Sequence, residues 1–488
     1  AGHSFSATSG DEPATEHEIM LLGFRANRPH TLTLTLTDAS GAEIEAAQLT
    51  MQSPELPWET APVDIRVADT DRMEPGLHLI PLFRWFGTVT DTTYGQILVV
   101  DAEGEIVWLY EAPHTLVEVK LLENGNILYM RDFTMTEIDW LGNEINHWHP
   151  TRTVRNAADG SLGVDVDTFH HDVLEMPSGN LLGLSTEVRE IENWYTSETD
   201  PDAPRETRNV VGDVLYEIER DGTVVNEWKF FDLIDNYRIG YDSLNTEFYA
   251  QQYDGILDEP APDWTHMNGI DYDPETNTAL ISSNHLSTVM QLDLTSGELD
   301  WLLGDTRDWG DAWTDLLLER EDENMIWSYH HHAPKWTPAG TLLLYDNGAA
   351  RARPPDPPAG PLEMFSRAVE YAIDEDTGTV REVWSYGGPG SDIFVSPFIS
   401  EADWLPQTEN ILLTNGGSFR LPDGVQLDLS NPEAIASLQE QVRLWVELVE
   451  VTHTSPAERV WELAIDDPRW GWTAFRTERI PRLNPKGQ

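Results

Sequence analysis

The sequence predicts an all-β fold: a six-bladed β-propeller behind a small N-terminal β-sandwich domain. Two observations carry this. A hairpin unit recurs, with apolar residues alternating around an Asp, Asn or Gly turn, as in VKLLENGNILYM, DVLEMPSGNLLGLS and PKWTPAGTLLLYDNG. A second set of hairpins ends on tryptophan at Trp108, Trp148, Trp228, Trp301, Trp384 and Trp461. Six Trp-tipped hairpins at long, irregular spacing fit six blades, and the indoles are expected to pack between blades. A β-sandwich array or a solenoid is the competing reading. Irregular spacing with long insertions favours the propeller.

Residues 1–78 differ in texture. HTLTLTLTDASGAEIEAAQLTMQ alternates strictly and the Pro-rich LPWETAP follows, which predicts the sandwich. The propeller is expected over residues 79–488, opening near MEPGLHLIPLF. One helix is predicted in SNPEAIASLQEQVRLW, with Ser430 or Asn431 as N-cap and Pro432 in the first turn.

Composition narrows the partners. The chain has 488 residues, a formal net charge of −56, and 86 Asp plus Glu against 30 Lys plus Arg. Lysine occurs only at Lys120, Lys229, Lys335 and Lys486. With 19 Trp the chain has ample core material, so this is an acidic folded protein rather than a disordered one. Such a surface suits high salt, a halophilic trait, and argues against nucleic acid or an anionic membrane as partner. Cysteine is absent, which excludes disulfides, thiolate metal sites and Cys nucleophiles. No apolar run approaches a membrane span. The opening AGHSFSATSG lacks the basic and apolar regions of a signal peptide. The expected location is periplasmic or secreted, with any leader already removed.

The histidines are the chemical signal. His171 precedes Gly179, and His332 precedes Gly340, by the same spacing of eight residues, and His266 opens the corresponding strand in DWTHMNGIDYD. Innermost strands begin beside a propeller's central channel, so equivalent positions on different blades converge there. His171, His266, His332 and, following nearby, His285 are expected to line one pocket. Imidazole serves as nucleophile or general acid/base, and equally as a metal ligand. Asn268, two residues after His266, is expected on the same strand face as a neutral oxyanion donor. His170 and Asp172 are expected to point elsewhere. In the run His330-His331-His332, His331 is expected to face away from the pocket.

These residues resemble a known family, the bacterial aryl sulfotransferases that use no nucleotide sulfate donor. FHHDVLEMPSGN, DWTHMNGIDYDPETNTALISSNH, LDWLLG, HHAPKWTPAGTLLLYDNG, SRAVEYAIDEDTGTVREVWSYG and FRTERIP carry the resemblance, in order, over roughly residues 80–488. It implies a six-bladed propeller and a ping-pong transfer of a sulfuryl group from an aryl sulfate to a phenolic acceptor. His332 would be the nucleophile, His171 and His266 acid/base and sulfuryl-binding partners, Asn268 an oxyanion ligand. It implies no cofactor and no catalytic metal, and a homodimer is the assembly in view. One position departs: the family's Arg before the His of SSNH is Asn284 here. A neutral amide does not replace a bidentate guanidinium. Substitute cations in the sequence are Arg351, Arg353, Arg367 and Lys335, with Asn284 and His285 retained as substrate-binding candidates. A metal-dependent hydrolase or lyase and a non-catalytic ligand-binding propeller are the alternative readings.

Overall fold

The computed structural model describes residues 16–38, 40–84, 94–112, 115–131, 133–154, 157–360, 363–389, 391–420 and 443–483. Six antiparallel sheets form the blades of a propeller. From the inside outward, blade 2 runs Val119–Leu121, Ile127–Arg131, Thr134–Ile138 and Glu144–Pro150, with Leu162–Val164 added in parallel. Blade 3 runs His170–Glu175, Leu181–Trp194, Glu206–Ile218 and Val224–Lys229. Blade 4 runs Met267–Asp273, Thr278–Ser283, Thr288–Asp293 and Leu299–Gly304. Blade 5 runs His332–Trp336, Leu342–Asp346, Arg367–Asp374 and Thr379–Tyr386, with Glu319–Arg320 outermost.

The ring closes twice. The C-terminal strand Glu478–Ile480 is the inner strand of blade 1, ahead of Leu77–Phe83, Gly95–Val100 and Ile106–Ala112. The N-terminal strand Asp64–Ala68 is the outer strand of blade 6, beyond Glu401–Trp404, Ile411–Arg420, Arg443–Val451 and Arg459–Ile465. The two ends of the propeller sequence are thus woven into neighbouring blades.

The small N-terminal unit is a single two-stranded sheet, Pro29–Thr37 against Glu43–Gln52, where a sandwich was expected. Its leucines alternate as predicted, but among the described residues no second sheet covers them, and Leu36 is 55% exposed. Arg25 and Arg28 tie the unit to the blade 1 turn through Asp101 (2.6 Å) and Glu105 (2.8 Å). The helix expected from Ser430 lies largely in 421–442, outside the described residues.

The six tryptophans pack between blades as expected, and five donate their indole N–H across a blade boundary. Trp108 bonds Trp140 O (2.9 Å), Trp148 bonds Arg220 O (3.1 Å), and Trp301 bonds Glu375 Oε1 (3.1 Å). Trp384 bonds Thr454 O (3.1 Å), and Trp461 returns to Ala102 O of blade 1 (3.1 Å). Trp228 lies against Gly297 in the equivalent turn of blade 4.

A second ring sits at the axis. Asp172 accepts Ile270 N–H (2.8 Å), Asp271 accepts Trp336 N–H (2.8 Å), and Glu401 accepts Thr477 N–H (3.0 Å). Glu478 accepts Leu121 N–H (3.0 Å), and Glu175 accepts Glu123 N–H (2.7 Å). Lys335 joins blades 5 and 6 through Glu401 (2.7 Å) and Asp403. Arg476, buried at the axis, pairs with Asp172 (2.5 Å) and Glu118 (2.8 Å) and donates to Asn268 O. Lys120 meets Glu118 at 3.3 Å and Asp172 at 3.6 Å. Every inner strand is therefore stapled to the next by a charged side chain.

Two losses of stability are expected. Trp461→Ala removes a fully buried indole that also stacks on His78 (ring centroids 4.0 Å apart, 5° between planes). It should cost about 3–5 kcal/mol, read as a drop in denaturation midpoint. Arg476→Met strands two buried carboxylates and should cost about 3–5 kcal/mol. Arg72→Met, at an exposed pair with Asp69, is the comparison and should leave the midpoint nearly unmoved.

Candidate active site

The inner strands of blades 3, 4 and 5 lie side by side, and each is distorted near its start. Pairing slips between His170 and Val173, between Met267 and Gly269, and between His332 and Lys335. His171 (φ 55°), His266 (φ 45°) and Ala333 (φ 51°) occupy the left-handed region there. A bulge re-aims side chains, and left-handed non-glycine residues cost energy, so these three strand starts are held in a strained, re-aimed conformation.

These bulges gather the histidines. His171 meets His266 edge to face at 4.6 Å between ring centroids. His266 stacks on His285, also at 4.6 Å. Phe475 joins the halves of the site, 5.8 Å from His171 and 6.4 Å from His332. Phe248, from the long connection between blades 3 and 4, covers His171 (5.4 Å) and His266 (4.5 Å). The register expected to be common to the three is loose. His332 opens its strand, His171 is second in its own, and His266 stands before Met267.

His332 is buried, and its Nδ1 lies 2.7 Å from Asn347 Oδ1. Asn347 Nδ2 donates to both Ser396 O and Ile399 O, each at 2.7 Å. The amide orientation is thereby determined, and Oδ1 must accept. His332 therefore carries its proton on Nδ1, and Nε2 bears a lone pair. Burial first, then the charges of Arg476 and His266, hold His332 well below the ordinary imidazole range, against the bond from Asn347.

His266 behaves oppositely. Burial works against its charge, but Asp263 at 2.5 Å from Nδ1 outweighs burial and raises its pKa. His285 is pushed down to about 4, by burial and then by His266. Its Nδ1 meets Asp263 O at 2.7 Å. His171 is held well below the usual range by burial and neighbouring His266.

Several expectations need correction. Asn268 does not share a free face with His266, because the bulge breaks strand alternation. Its Nδ2 donates to His331 O (3.0 Å) and its Oδ1 accepts from Ser282 (2.6 Å), which leaves one N–H for a ligand. Asn284 donates to His330 O (2.9 Å). Arg367 and Arg351 converge on Asp346, at 2.9 and 3.1 Å. Arg367 also holds Glu382 and Ile326 O, so these cations serve the blade 5 core. Arg353 pairs with Asp308 and Lys335 with the axial acids. His331 meets Ser328 (3.1 Å) from just outside the strand, where alternation does not apply, and His330 reaches Ala349 O (2.9 Å). His170 does not point elsewhere: its Nδ1 lies 2.8 Å from His171 Nδ1. Asp172 enters the axial ring.

Asp263, Asn347, Arg476, Phe248 and Phe475 were not singled out from the sequence. Phe475 and Arg476 open FRTERIP, Asn347 lies in DNG and Asp263 opens DWTHMNGIDYD, so motif context held those four. Phe248 comes from an insertion with no periodicity to betray it.

Asp263, His266 and His285 place one ligand atom each within 4.8 Å of one another. The two rings lie in nearly parallel planes, 17° apart. In-plane lone pairs of stacked rings do not converge on one ion, and both Nδ1 atoms are already bonded to Asp263. This arrangement fits proton handling better than tetrahedral or octahedral coordination.

Comparison with known proteins identifies relatives of the whole chain. Two arylsulfate sulfotransferases named AssT are similar to the chain. The one from Escherichia coli O6:H1 is 26% identical over 317 residues, covering 57% of this chain and 50% of that protein. The one from Lelliottia amnigena is 25% identical over 362 residues, covering 65% and 57%. The chain thus matches little more than half the length of these relatives. Among solved structures, a protein of unknown function from Bacteroides caccae aligns with TM-score 0.39 at 13% identity, over 82% of this chain and 98% of that one. A regucalcin from Agrobacterium tumefaciens aligns with TM-score 0.35 at 11% identity, over 86% and 97%. Both are too remote to bear on function. Residues 63–454 match the profile of the family described as Arylsulfotransferase (ASST), which takes in all the histidines of the pocket, and the chain belongs to that family.

Proposed function

We propose that the protein transfers a sulfuryl group from an aryl sulfate to a phenol through a sulfo-histidine on His332. The observation that carries this is the Asn347 clamp, which leaves a neutral, buried imidazole with its Nε2 lone pair uncommitted. Nε2 attacks sulfur, the S–O bond to the aryl group breaks, and the phenoxide leaves with its electron pair. His266, kept protonated by Asp263, gives the departing oxygen a proton. In the second half an acceptor phenol returns that proton to His266 while its oxygen attacks sulfur, and the S–N bond electrons return to His332. Neighbouring histidines pushed in opposite directions are what such an acid–nucleophile division requires. Phe475 and Phe248 offer apolar faces to an aryl ring.

The metal-dependent reading draws on the proximity of Asp263, His266 and His285. Activity unchanged after dialysis against a chelator would set it aside.

Intact mass after brief exposure to p-nitrophenyl sulfate should show a gain of one SO3 unit. His332→Ala should lose both the adduct and nitrophenol release. An adduct that survives in His332→Ala would sink the assignment.

The pH dependence has a definite sign. Nitrophenol release needs His332 neutral and His266 protonated. It should fall at acid pH, through the lowered pKa of His332, and at alkaline pH, through the raised pKa of His266, with a plateau between. Asp263→Asn should move the alkaline limb to lower pH and leave the acid limb in place. Asn347→Leu frees the tautomer and should lower kcat by about 10²-fold or more, by analogy with other orienting groups.

A further inference from the structure

A sulfate-type anion entering this pocket needs hydrogen-bond donors. Asn284 gives its amide to His330 O, Arg367 and Arg351 are committed to Asp346, and Arg476 to Glu118 and Asp172. Behind His171 lies a buried chain with no assigned use. His170 Nδ1 lies 2.8 Å from His171 Nδ1, and His170 Nε2 lies 3.1 Å from Asp213 Oδ1. That second contact is off the ideal line, and neither atom has another partner although both are buried. Two buried polar atoms in that position are each other's only means of satisfaction. The other carboxylate oxygen, Oδ2, is held by Met267 N–H (2.8 Å) and by the Thr265 hydroxyl. Asp213 is thus anchored as an acceptor at the end of the chain.

We propose that Asp213, His170 and His171 form a relay that takes up one proton and turns the pocket nitrogen of His171 into a hydrogen-bond donor for a sulfate-type anion. The proposal rests on the reading of the pocket as a sulfuryl site. Before uptake, His170 Nε2–H faces Asp213, His170 Nδ1 accepts Nδ1–H of His171, and His171 Nε2 carries a lone pair that repels an anion. A proton from solvent binds His171 Nε2, and the Nδ1 proton crosses to His170. His170 is then an imidazolium facing the Asp213 carboxylate, and His171 is a neutral ring with N–H toward the pocket. The ion pair stays buried while the anion meets only a polarised donor. Anion and proton bind together.

Other groups face this chain. Tyr249 packs on His170 (5.7 Å), and Asp263 lies within its field. His266, Phe248, Phe475, Arg476 and His332 surround His171. Of these, His266 is the competing proton acceptor, so the test uses variants that leave it intact.

Titrate inorganic sulfate calorimetrically, near pH 7, in two buffers of different ionisation enthalpy. The wild-type chain should take up close to one proton per sulfate bound. Asp213→Asn and His170→Gln should each abolish most of that uptake and weaken sulfate by about tenfold. Circular dichroism identifies which variants are folded, and uptake that persists in any folded variant counts against the relay as fully as uptake that persists in both. Sulfate binding without proton uptake, uptake that persists in both variants, or no sulfate binding by the wild type would each overturn the relay. The His332 sulfo-adduct is read separately by mass, so this proposal and the proposed transfer fail independently.

Discussion

One tryptophan at each blade tip, packed on the turn of the next blade and in five of the six donating its indole N–H there, governs the geometry of the whole ring. A propeller blade is a twisted sheet with two open faces and no reason to stop at six. The tryptophan from Trp108 onward supplies a large apolar face and one obligatory polar bond, so it sets both distance and angle between blades. Its last member, Trp461, bonds Ala102 in blade 1, which closes the circle. The axial carboxylates repeat the same logic at the centre. There each bond ties one inner strand to its neighbour's backbone, so strand starts are held in relative height as well as direction.

That rigidity is what lets the inner strands carry strain. Left-handed His171 and His266 would relax if their strands were free to slide. Stapling by Asp172, Asp271 and Arg476 prevents the slide. The same frame explains why adjacent imidazoles differ so strongly. His266 and His332 are both buried, and burial alone pushes each toward neutrality. The sign is decided by what lies behind the ring, a carboxylate at Asp263 or an amide oxygen at Asn347. A scaffold that held these partners less firmly would let both histidines drift to one common state.

The fold was legible in the sequence because its signals are local: alternation, turn residues and a terminal Trp in each unit. The histidine cluster was legible for a related reason. Repeat spacing placed His171, His266 and His332 on inner strands without any knowledge of side-chain contacts. What stayed hidden depends on bulges, which sequence alternation cannot report. Alternation put Asn268 beside His266 and sent His170 away, and both expectations failed where a strand slipped. The arginines were misjudged because nearness to a motif says nothing about partners, and Asp346 had already drawn Arg351 and Arg367. Alternation predicts a sandwich at the N-terminus, where the described residues form one two-stranded sheet, because one alternating hairpin looks the same whether or not a second sheet covers it.

Charge sets the last constraint. With a formal net charge of −56, the chain's long-range field opposes the approach of any anion. Salt shortens that field, from about 10 Å at 0.1 M to about 3 Å at 1 M. Inside, two of only four lysines, Lys120 and Lys335, are spent at the axis and not on the pocket. Each is neutralised by carboxylates there. Among the described residues, the cations near the pocket are paired with carboxylates, so an anion buried there would meet mainly aimed N–H groups, whose dipoles act strongly at low dielectric. Such donors work only if their protons are held on the right nitrogen. Asn347 holds the His332 proton on Nδ1, away from the pocket, while Asp263 favours the protonated form of His266, so the two rings present opposite polarities.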